Sequence, residues 1–438
     1  MGALSSRCLV VFAAALWLAP AAHAFCGTYV GSAGSDLKNR ASHAVLARSG
    51  DLTTLSLAMD FEGDASEFAL LIPMPDIVGR EDVFTPDRAL IDAVRTYGDP
   101  RLVAYTCEDA LAQDGPNFTS VGCGWALGCA SDDTLSRDES GYDTGFGVTI
   151  ENAFDVGGYE LVVLSAEEST GLWAWLEANG YAIPEGGADI LQSYIDAGVY
   201  FVAIRIDLDA LEVSNGWLPP LQFRYRSEAF GIPIRIGTIS SGGEAQEVVL
   251  SVLSDGVAGS AGISNYPEVK VETECMTSAD SFGEWYDARL TSAFNGEAGW
   301  MKEHSWPVYS YSNDYHCDPC TPTGDFEGAE LEALGAPIES GEVHLTRLLV
   351  RYTPAQATQD LSLYLDGVAG ERFQSRFIQY KHELEFLWPV CDQGFVADPG
   401  ECESPRSGSA SPITGLGMAA PIGVLGFFAG LISLRRRA

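Results

Sequence analysis

The pattern with the clearest chemical potential in this chain is a pair of cysteines, Cys317 and Cys320, which follow His316 and enclose Asp318 and Pro319. Two cysteines at this spacing can close a small disulfide. A nearby cation or helix N-terminus lowers the pKa of such a thiol and makes the disulfide redox-active. The spacing therefore leaves three interpretations, which are a structural disulfide, a redox-active pair and part of a zinc site.

A zinc site at this motif would need two further ligands. His304 and His316 are near in sequence, and with Cys317 and Cys320 they offer two nitrogens and two sulfurs, a set that structural zinc uses. The motif lacks the thioredoxin-like order in which a strand leads into the CxxC pair and a helix follows it directly. The next predicted helix begins several residues later, at residue 326. In an exported protein a structural disulfide is the favoured interpretation.

Motifs of common hydrolases and nucleotide-binding proteins are missing from the sequence. Gly31 to Ser35 has the wrong order for a nucleophile elbow, and His382 lacks the second histidine of HExxH because Phe386 stands there. We therefore predict no catalytic residue and no cofactor, and we favour a binding or structural module over an enzyme. The alternative is an exported thiol–disulfide oxidoreductase that uses Cys317 and Cys320.

Aromatic residues form two groups that could line a groove for a sugar or a peptide. Helical spacing in the first group favours core packing, whereas the second group is less periodic and favours an exposed recognition loop. The first group is Trp173, Trp175 and Tyr181, and the second is Trp300, Trp306, Tyr309 and Tyr311.

Residues 1–24 have the features of a cleavable export signal. Arg7 is followed by the apolar run Leu9–Leu18, and Ala22-His23-Ala24 fits a small-x-small cleavage site before Phe25. The alternative is an uncleaved anchor, but this run is too short for a bilayer core, which needs roughly 20 residues. The sequence therefore predicts export from the cytoplasm.

The other end predicts a membrane segment. Residues 413–434 are uncharged and predict a transmembrane helix, after a flexible spacer at 405–412. Arg435, Arg436 and Arg437 follow and should remain cytoplasmic, which places the body on the periplasmic or cell-surface side of a bacterial membrane. The tail also resembles bacterial sorting signals that are cut near the helix, so permanent anchoring and processing both stay open.

The body between these segments is strongly acidic. Without Arg7 and the three tail arginines, 21 basic residues face 61 acidic ones, a net charge of about −40. Such a charge repels phosphates and argues against nucleic-acid binding. The expected partners are therefore the membrane, through the C-terminal helix, and an envelope protein or polysaccharide.

Nine of the ten cysteines lie after the predicted signal. In an oxidising compartment most of them should pair, and the odd number leaves at least one thiol unpaired within the chain. The candidates for short-loop disulfides are Cys123 with Cys129, Cys317 with Cys320, and Cys391 with Cys402.

Alternating apolar residues and Gly-rich turns predict a disulfide-bonded α+β fold of mainly antiparallel sheet. It comprises an N-terminal α+β region at 25–210 and a C-terminal β-rich region with the CxxC pair at 211–404. Four hairpins are expected, at 52–72, 147–164, 232–253 and 345–365, with a strand at 200–208. Helices are expected at 86–97, 168–179, 188–197 and 326–334.

Short motifs along most of the body carry a resemblance to a known family. They are Ala24-Phe25-Cys26-Gly27, Leu71-Ile72-Pro73-Met74-Pro75, Trp175-Leu176, Asn179-Gly180-Tyr181, Ile183-Pro184, Tyr194, Tyr200-Phe201-Val202-Ala203, Leu218-Pro219-Pro220-Leu221, Cys317-Asp318-Pro319-Cys320 and Leu345–Tyr352. On these residues the chain resembles the DUF2330 family of exported bacterial proteins. The resemblance implies an exported location, and it implies no activity because the family is uncharacterised.

Overall fold

A computed structural model describes eleven stretches of the 438-residue chain. These are residues 22–23, 27–31, 42–59, 67–103, 142–181, 186–207, 218–271, 275–276, 281–310, 326–368 and 372–379. Five α-helices lie within these stretches, and they are α1 Arg88–Tyr97, α2 Ser169–Ala178, α3 Gly187–Asp196, α4 Phe282–Phe294 and α5 Gly328–Ala333.

The strands are named β1 to β21 in chain order. They are β1 Ala22–His23, β2 Thr28–Gly31, β3 Ser42–Ser49, β4 Leu52–Met59, β5 Glu67–Met74, β6 Val83–Phe84, β7 Arg101–Val103, β8 Tyr142–Asp143, β9 Val148–Val156, β10 Tyr159–Ala166, β11 Tyr200–Asp207, β12 Leu221–Arg226, β13 Gly231–Ile232, β14 Gln246–Asp255, β15 Ala261–Ile263, β16 Cys275–Met276, β17 Gly299–Ser310, β18 Glu342–Tyr352, β19 Leu361–Leu365, β20 Phe373–Gln374 and β21 Arg376–Gln379.

Two large sheets form the centre of the protein. The nine-stranded sheet runs β20-β17-β18-β14-β3-β4-β12-β6, with β1 beside β14, and the six-stranded sheet runs β2-β5-β11-β10-β9-β8. Most pairs are antiparallel, and β14 with β3 is a parallel exception. The larger sheet takes strands from both of the sequence regions predicted above.

The two sheets pack face to face, and helices cover their outer faces. Apolar side chains from both inner faces form one continuous core, which includes Leu57 and Leu250 of the large sheet and Phe68 and Val202 of the small one. Helices α1, α4 and α5 cover the outer face of the large sheet. Helices α2 and α3 cover the small sheet. The result is a four-layer arrangement of helices, sheet, sheet and helices.

The predicted α+β class with mainly antiparallel sheet is confirmed. The helices expected at 86–97, 168–179, 188–197 and 326–334 are present as α1, α2, α3 and α5, and the strand at 200–208 is β11. The hairpin at 147–164 forms as β9 and β10. Its turn is made by Gly157 and Gly158, whose φ angles of 55° and 89° lie in the left-handed region that glycine favours.

The other three predicted hairpins are wrong in their pairing. β4 pairs with β3 and β12 while β5 pairs with β11 and β2 in the other sheet. The first arm of the hairpin expected at 232–253 is mostly not a strand, because Ile236–Ser240 forms a 3-10 helix. Its second arm, β14, pairs along its length with β18, and the short β19 lies in a separate sheet with β13 and β15. The physical reason is burial on both faces. Most residues of β4, β14 and β18 are buried and none of them is exposed, and such central strands take neighbours that are distant in sequence.

No helix of the described stretches is long and apolar enough to cross a membrane. The expected transmembrane segment at 413–434, its spacer and the tail arginines lie outside those stretches. Most of the predicted signal segment also lies outside them. The same holds for all six cysteines of the three disulfide candidates, so those pairings stay predictions.

Candidate ligand-binding cleft

The floor of one polar cavity is the outer face of the small sheet. Ala69, Arg205 and Glu160 lie side by side on β5, β11 and β10. The parallel row two residues along consists of Leu71, Ala203 and Val162 and points to the same face, because side chains alternate along a strand. Ala69 and Ala203 are small and buried, so they leave room above the sheet.

Helix α2 forms one wall of this cavity. Leu172, Trp175 and Leu176 follow helical spacing, face the sheet and are buried, and Trp175 retains 8% exposure. Trp173 belongs to a different face of the helix, where its Nε1 donates a 3.0 Å hydrogen bond to Glu177. The helix therefore separates two neighbouring tryptophans into one that lines the cavity and one that does not.

The end of α2 places a second aromatic ring at the cavity. Gly180 has a φ of 89°, its N–H donates to the carbonyl of Glu177, and the Tyr181 N–H donates to the carbonyl of Leu176 at 2.9 Å. This pair of bonds is a Schellman motif, which reverses the chain after a helix. The Asn179 side chain adds a 2.8 Å bond to the carbonyl of Trp175. The sequence Asn179-Gly180-Tyr181 thus directs Tyr181 back toward the cavity.

We refer to this cavity of about 470 Å³ as the α2 cleft. Its polar groups are the Asn179 amide and an ion pair in which Arg205 donates to Glu160 at 3.2 Å. Both charged side chains are largely exposed, at 43% and 60%. The cleft lining is Ala69, Ile150, Glu160, Val162, Trp175, Asn179, Gly180, Tyr181, Ala203 and Arg205. Small apolar floor, aromatic wall and few convergent polar groups are the features of a ligand site.

The structure therefore separates the two aromatic groups of the sequence analysis. Trp175 packs in the core, as expected, but it also lines the α2 cleft together with Tyr181. The recognition loop expected at the second group is wrong over residues 300–310, because these residues form the mostly buried strand β17. Tyr311 lies outside the described stretches.

Of the four candidate zinc ligands, only His304 lies within the described stretches. His304 is fully buried in β17, where its Nδ1 lies 2.7 Å from Gln374 Oε1 and its ring contacts Tyr97 edge-on. Burial lowers the pKa of His304 to about 4, which favours the neutral ring. His316, Cys317 and Cys320 lie outside the described stretches, and no metal-binding group of three His, Cys, Asp or Glu side chains occurs within them.

Sequence reasoning missed a buried ion pair on the outer face of the large sheet. Arg347 Nε donates to Glu303 at 2.6 Å, and its Nη2 lies 2.9 Å from Asp99. The Tyr286 hydroxyl donates to the other Glu303 oxygen at 2.7 Å. Burial raises the pKa of the Glu303 carboxyl, and Arg347 opposes that effect. Because Arg347 also donates to the carbonyl of Arg95 in α1 at 3.0 Å, this cluster connects α1, α4, β17 and β18, and we interpret it as structural.

Two serine–histidine contacts have the spacing of a nucleophile and a base. His43 Nε2 lies 2.9 Å from Ser251 Oγ, and His344 Nε2 lies 2.8 Å from Ser305 Oγ. All four residues are buried, and none of them lines either cavity described here. Both contacts are enclosed by other described residues, so we interpret them as structural.

A smaller cavity of about 230 Å³ lies where β14 begins and α4 ends. Its cation, Arg351, is already bound to Glu247 at 2.6 Å and to Asp287 at 2.7 Å. The α2 cleft has about twice this volume, at about 470 Å³, so we take it as the candidate ligand site.

Comparison with known proteins leaves the function to be argued from this geometry. No curated protein and no solved structure matches the chain. The predicted family resemblance is confirmed, because residues 20–364 match the DUF2330 family model, which is described as an uncharacterized protein conserved in bacteria. This match spans most of the chain, and the protein therefore belongs to the DUF2330 family.

Proposed function

We propose that the protein is an exported envelope protein whose body is a binding module and whose ligand site is the α2 cleft. The cleft is the observation that carries this proposal, since it combines Trp175 and Tyr181 with the exposed Glu160–Arg205 pair on a floor of small residues. The floor belongs to the interior of a six-stranded sheet. Because such a site is already ordered, binding does not have to offset the entropy lost when a flexible site becomes fixed.

The proposed location rests on the two ends of the sequence. The signal-like residues 1–24 support export, and the apolar residues 413–434 with Arg435–Arg437 support C-terminal anchoring or processing. Intact-mass measurement of the protein from its native cell tests these points separately. A mass that includes residues 1–24 contradicts signal cleavage, and a mass that includes Arg435–Arg437 contradicts processing of the tail.

Co-sedimentation with detergent-washed envelopes of the native bacterium tests the binding function. The detergent keeps the C-terminal segment from causing attachment by itself. We expect the wild-type protein to sediment with the envelopes and the variant Tyr181→Ala/Arg205→Ala to remain largely in solution. Trp173→Leu is the matched control, because it removes an aromatic ring from the same helix outside the cleft. Equal sedimentation of all three proteins would contradict the proposal.

The competing function, thiol–disulfide exchange through Cys317 and Cys320, predicts a different measurement. It requires an exposed disulfide that mild reductant opens, together with insulin-reductase activity that the substitution Cys317→Ser abolishes. A structural disulfide resists mild reductant and gives no such activity. Reductase activity without any cleft-dependent binding would replace the binding function by this one.

A further inference from the structure

We infer that the ligand of the α2 cleft is a neutral oligosaccharide, an inference that rests on the proposed binding function and specifies its ligand class. Three properties of the cleft support it. They are the aromatic and polar side chains that line it, the floor strands whose backbone is hydrogen-bonded on both sides, and the pairing of its one positive with its one negative described side chain. Each of them separates a saccharide from another class of envelope ligand.

The first property is the pairing of flat apolar surface with planar polar side chains. Sugars present apolar C–H faces and a rim of hydroxyl groups. Trp175 and Tyr181 supply aromatic surface at one side of the cleft, and Ala69 and Ala203 keep the floor low enough for a ring to lie against it. Aromatic residues of this kind combine a large contact area with few rotatable bonds.

The polar groups of the cleft suit hydroxyl ligands. Glu160 is a carboxylate acceptor, Arg205 is a guanidinium donor, and Asn179 carries both a donor and an acceptor group. A hydroxyl group donates one hydrogen bond and accepts others, so it can satisfy all three side chains. Because Glu160 and Arg205 are both more than 40% exposed, a ligand can reach them at the cleft rim.

The second property is that the floor offers no backbone for a peptide. An extended peptide gains much of its affinity by adding a strand to a sheet edge. The cleft floor consists of β5, β11 and β10, and each of these strands is hydrogen-bonded on both sides. A peptide strand would therefore find no backbone partner in the floor, and most of its own N–H and C=O groups would lose water while only the few polar side chains of the cleft could replace it.

The third property is charge. Among the described residues that line the cleft there is one cation and one anion, which are paired at 3.2 Å, so the charges of this lining cancel. The chain as a whole carries a net charge of −36, which repels acidic polysaccharides. A cationic ligand would have to displace Arg205 from Glu160. A neutral ligand is not repelled by the net charge of the chain and does not have to displace Arg205 from Glu160.

Isothermal titration of the full chain with defined hexamers tests this inference. The probes are maltohexaose and chitohexaose as neutral saccharides, hexagalacturonate as an acidic saccharide, and an uncharged hexapeptide. We expect at least one neutral hexamer to bind, and the acidic saccharide and the peptide to bind at least about tenfold more weakly. Tyr181→Ala and Arg205→Ala should each weaken the neutral hexamer about tenfold, as truncation of a central contact residue does.

Control variants keep the test independent of folding. Trp173→Leu should bind like the wild type, and thermal unfolding of each variant should show that it is folded. Arg205 and Glu160 are largely exposed, so Arg205→Ala and Glu160→Gln test the site without disturbing the core, whereas Trp175→Leu would disturb it.

The possible failures are distinguishable. Cleft-dependent sedimentation with envelopes, combined with tighter binding of the peptide or the acidic saccharide, overturns the neutral ligand and leaves the binding function intact. Failure of both neutral hexamers to bind at millimolar concentration also overturns the inference. Neutral binding that Tyr181→Ala and Arg205→Ala leave unchanged removes the α2 cleft from both proposals.

Discussion

The substitution Arg347→Met should destabilise the protein strongly, because it breaks a buried ion pair on one side only. The side chains of Arg347 and Glu303 are 7% and 2% exposed, and 2.6 Å separates the paired atoms. Removing the arginine leaves the Glu303 carboxylate buried without its counter-charge. It also removes the bonds from Arg347 to Asp99 and to the carbonyl of Arg95.

The expected loss in the free energy of unfolding is about 3–5 kcal/mol, as found when one partner of a buried pair is removed. Adding Glu303→Gln to this variant should recover at least about 2 kcal/mol of that loss. Glutamine removes the charge and keeps an acceptor for the Tyr286 hydroxyl, which lies 2.7 Å from Glu303. The matched control is Arg226→Met, whose exposed pair with Asp51 should be worth no more than about 1 kcal/mol.

The loss should also depend on pH in a defined direction. Burial raises the pKa of Glu303, and removing Arg347 removes the main opposing charge, so the pKa rises further in the variant. The folded variant then holds a proton that the unfolded chain releases above its ordinary pKa. Its deficit relative to the wild type should therefore be small in acid and should grow as the pH rises through the folded pKa.

Urea unfolding followed by tryptophan fluorescence at several pH values measures these quantities. Two results would refute the reasoning. One is a loss in the free energy of unfolding below about 1 kcal/mol at pH 7, and the other is a loss that becomes smaller as the pH rises. Either result would mean that Glu303 keeps its charge without Arg347 at little cost in free energy.

Three further predictions concern a histidine, two glycines and a helix cap. Burial lowers the pKa of His304 to about 4, so wild-type stability should rise between about pH 4 and 6.5 by up to about 3 kcal/mol from this residue. His304→Gln should flatten that rise in urea titrations, and an unchanged slope would contradict the assignment. Gly157→Ala should cost about 1 kcal/mol more than Gly50→Ala in thermal unfolding. Both glycines have positive φ, but only at Gly157 would the new Cβ approach Thr85, to 2.5 Å. Equal costs would show that Thr85 moves away freely. Ser281→Ala should cost about 0.5–2 kcal/mol, because Ser281 caps α4, and no change in unfolding midpoint would show that the cap is dispensable.

Local signals in the sequence were sufficient where one segment determines its own structure. Helix α2 has apolar residues at helical spacing and a glycine stop at Gly180, and the structure has the helix and its Schellman motif at that place. The turn at Gly157 and Gly158 likewise requires only two residues that accept positive φ. Helix α4 carries an equally local signal, the capping box of Ser281 and Glu284, which would have identified the start of a helix.

Pairing of the strands could not be predicted in the same way. β4 and β5 look like a hairpin in sequence, but each is buried between neighbours from elsewhere in the chain. A strand that is apolar on both faces carries no periodic signal to identify its partner. The same limit hid the Glu303–Arg347 pair, since its residues lie 44 positions apart and meet only because β17 and β18 are adjacent.

The sequence indicates the aromatic residues of the α2 cleft but not its charged pair. Trp173, Trp175 and Tyr181 form a group in the sequence, but its helical spacing favours core packing. Glu160 and Arg205 gave no signal at all, because they come from different strands whose register brings them opposite each other. The residues of a candidate site that combines a helix end with a sheet face can therefore be identified as one group only from the tertiary structure.

A crystal structure of the protein with bound maltohexaose or chitohexaose tests the central claim most directly. We expect a sugar ring against Tyr181 and Trp175, with hydroxyl groups within hydrogen-bond distance of Glu160 or Arg205. A saccharide bound elsewhere, or a cleft that stays free of sugar at saturating concentration, would contradict the assignment of the α2 cleft as the ligand site.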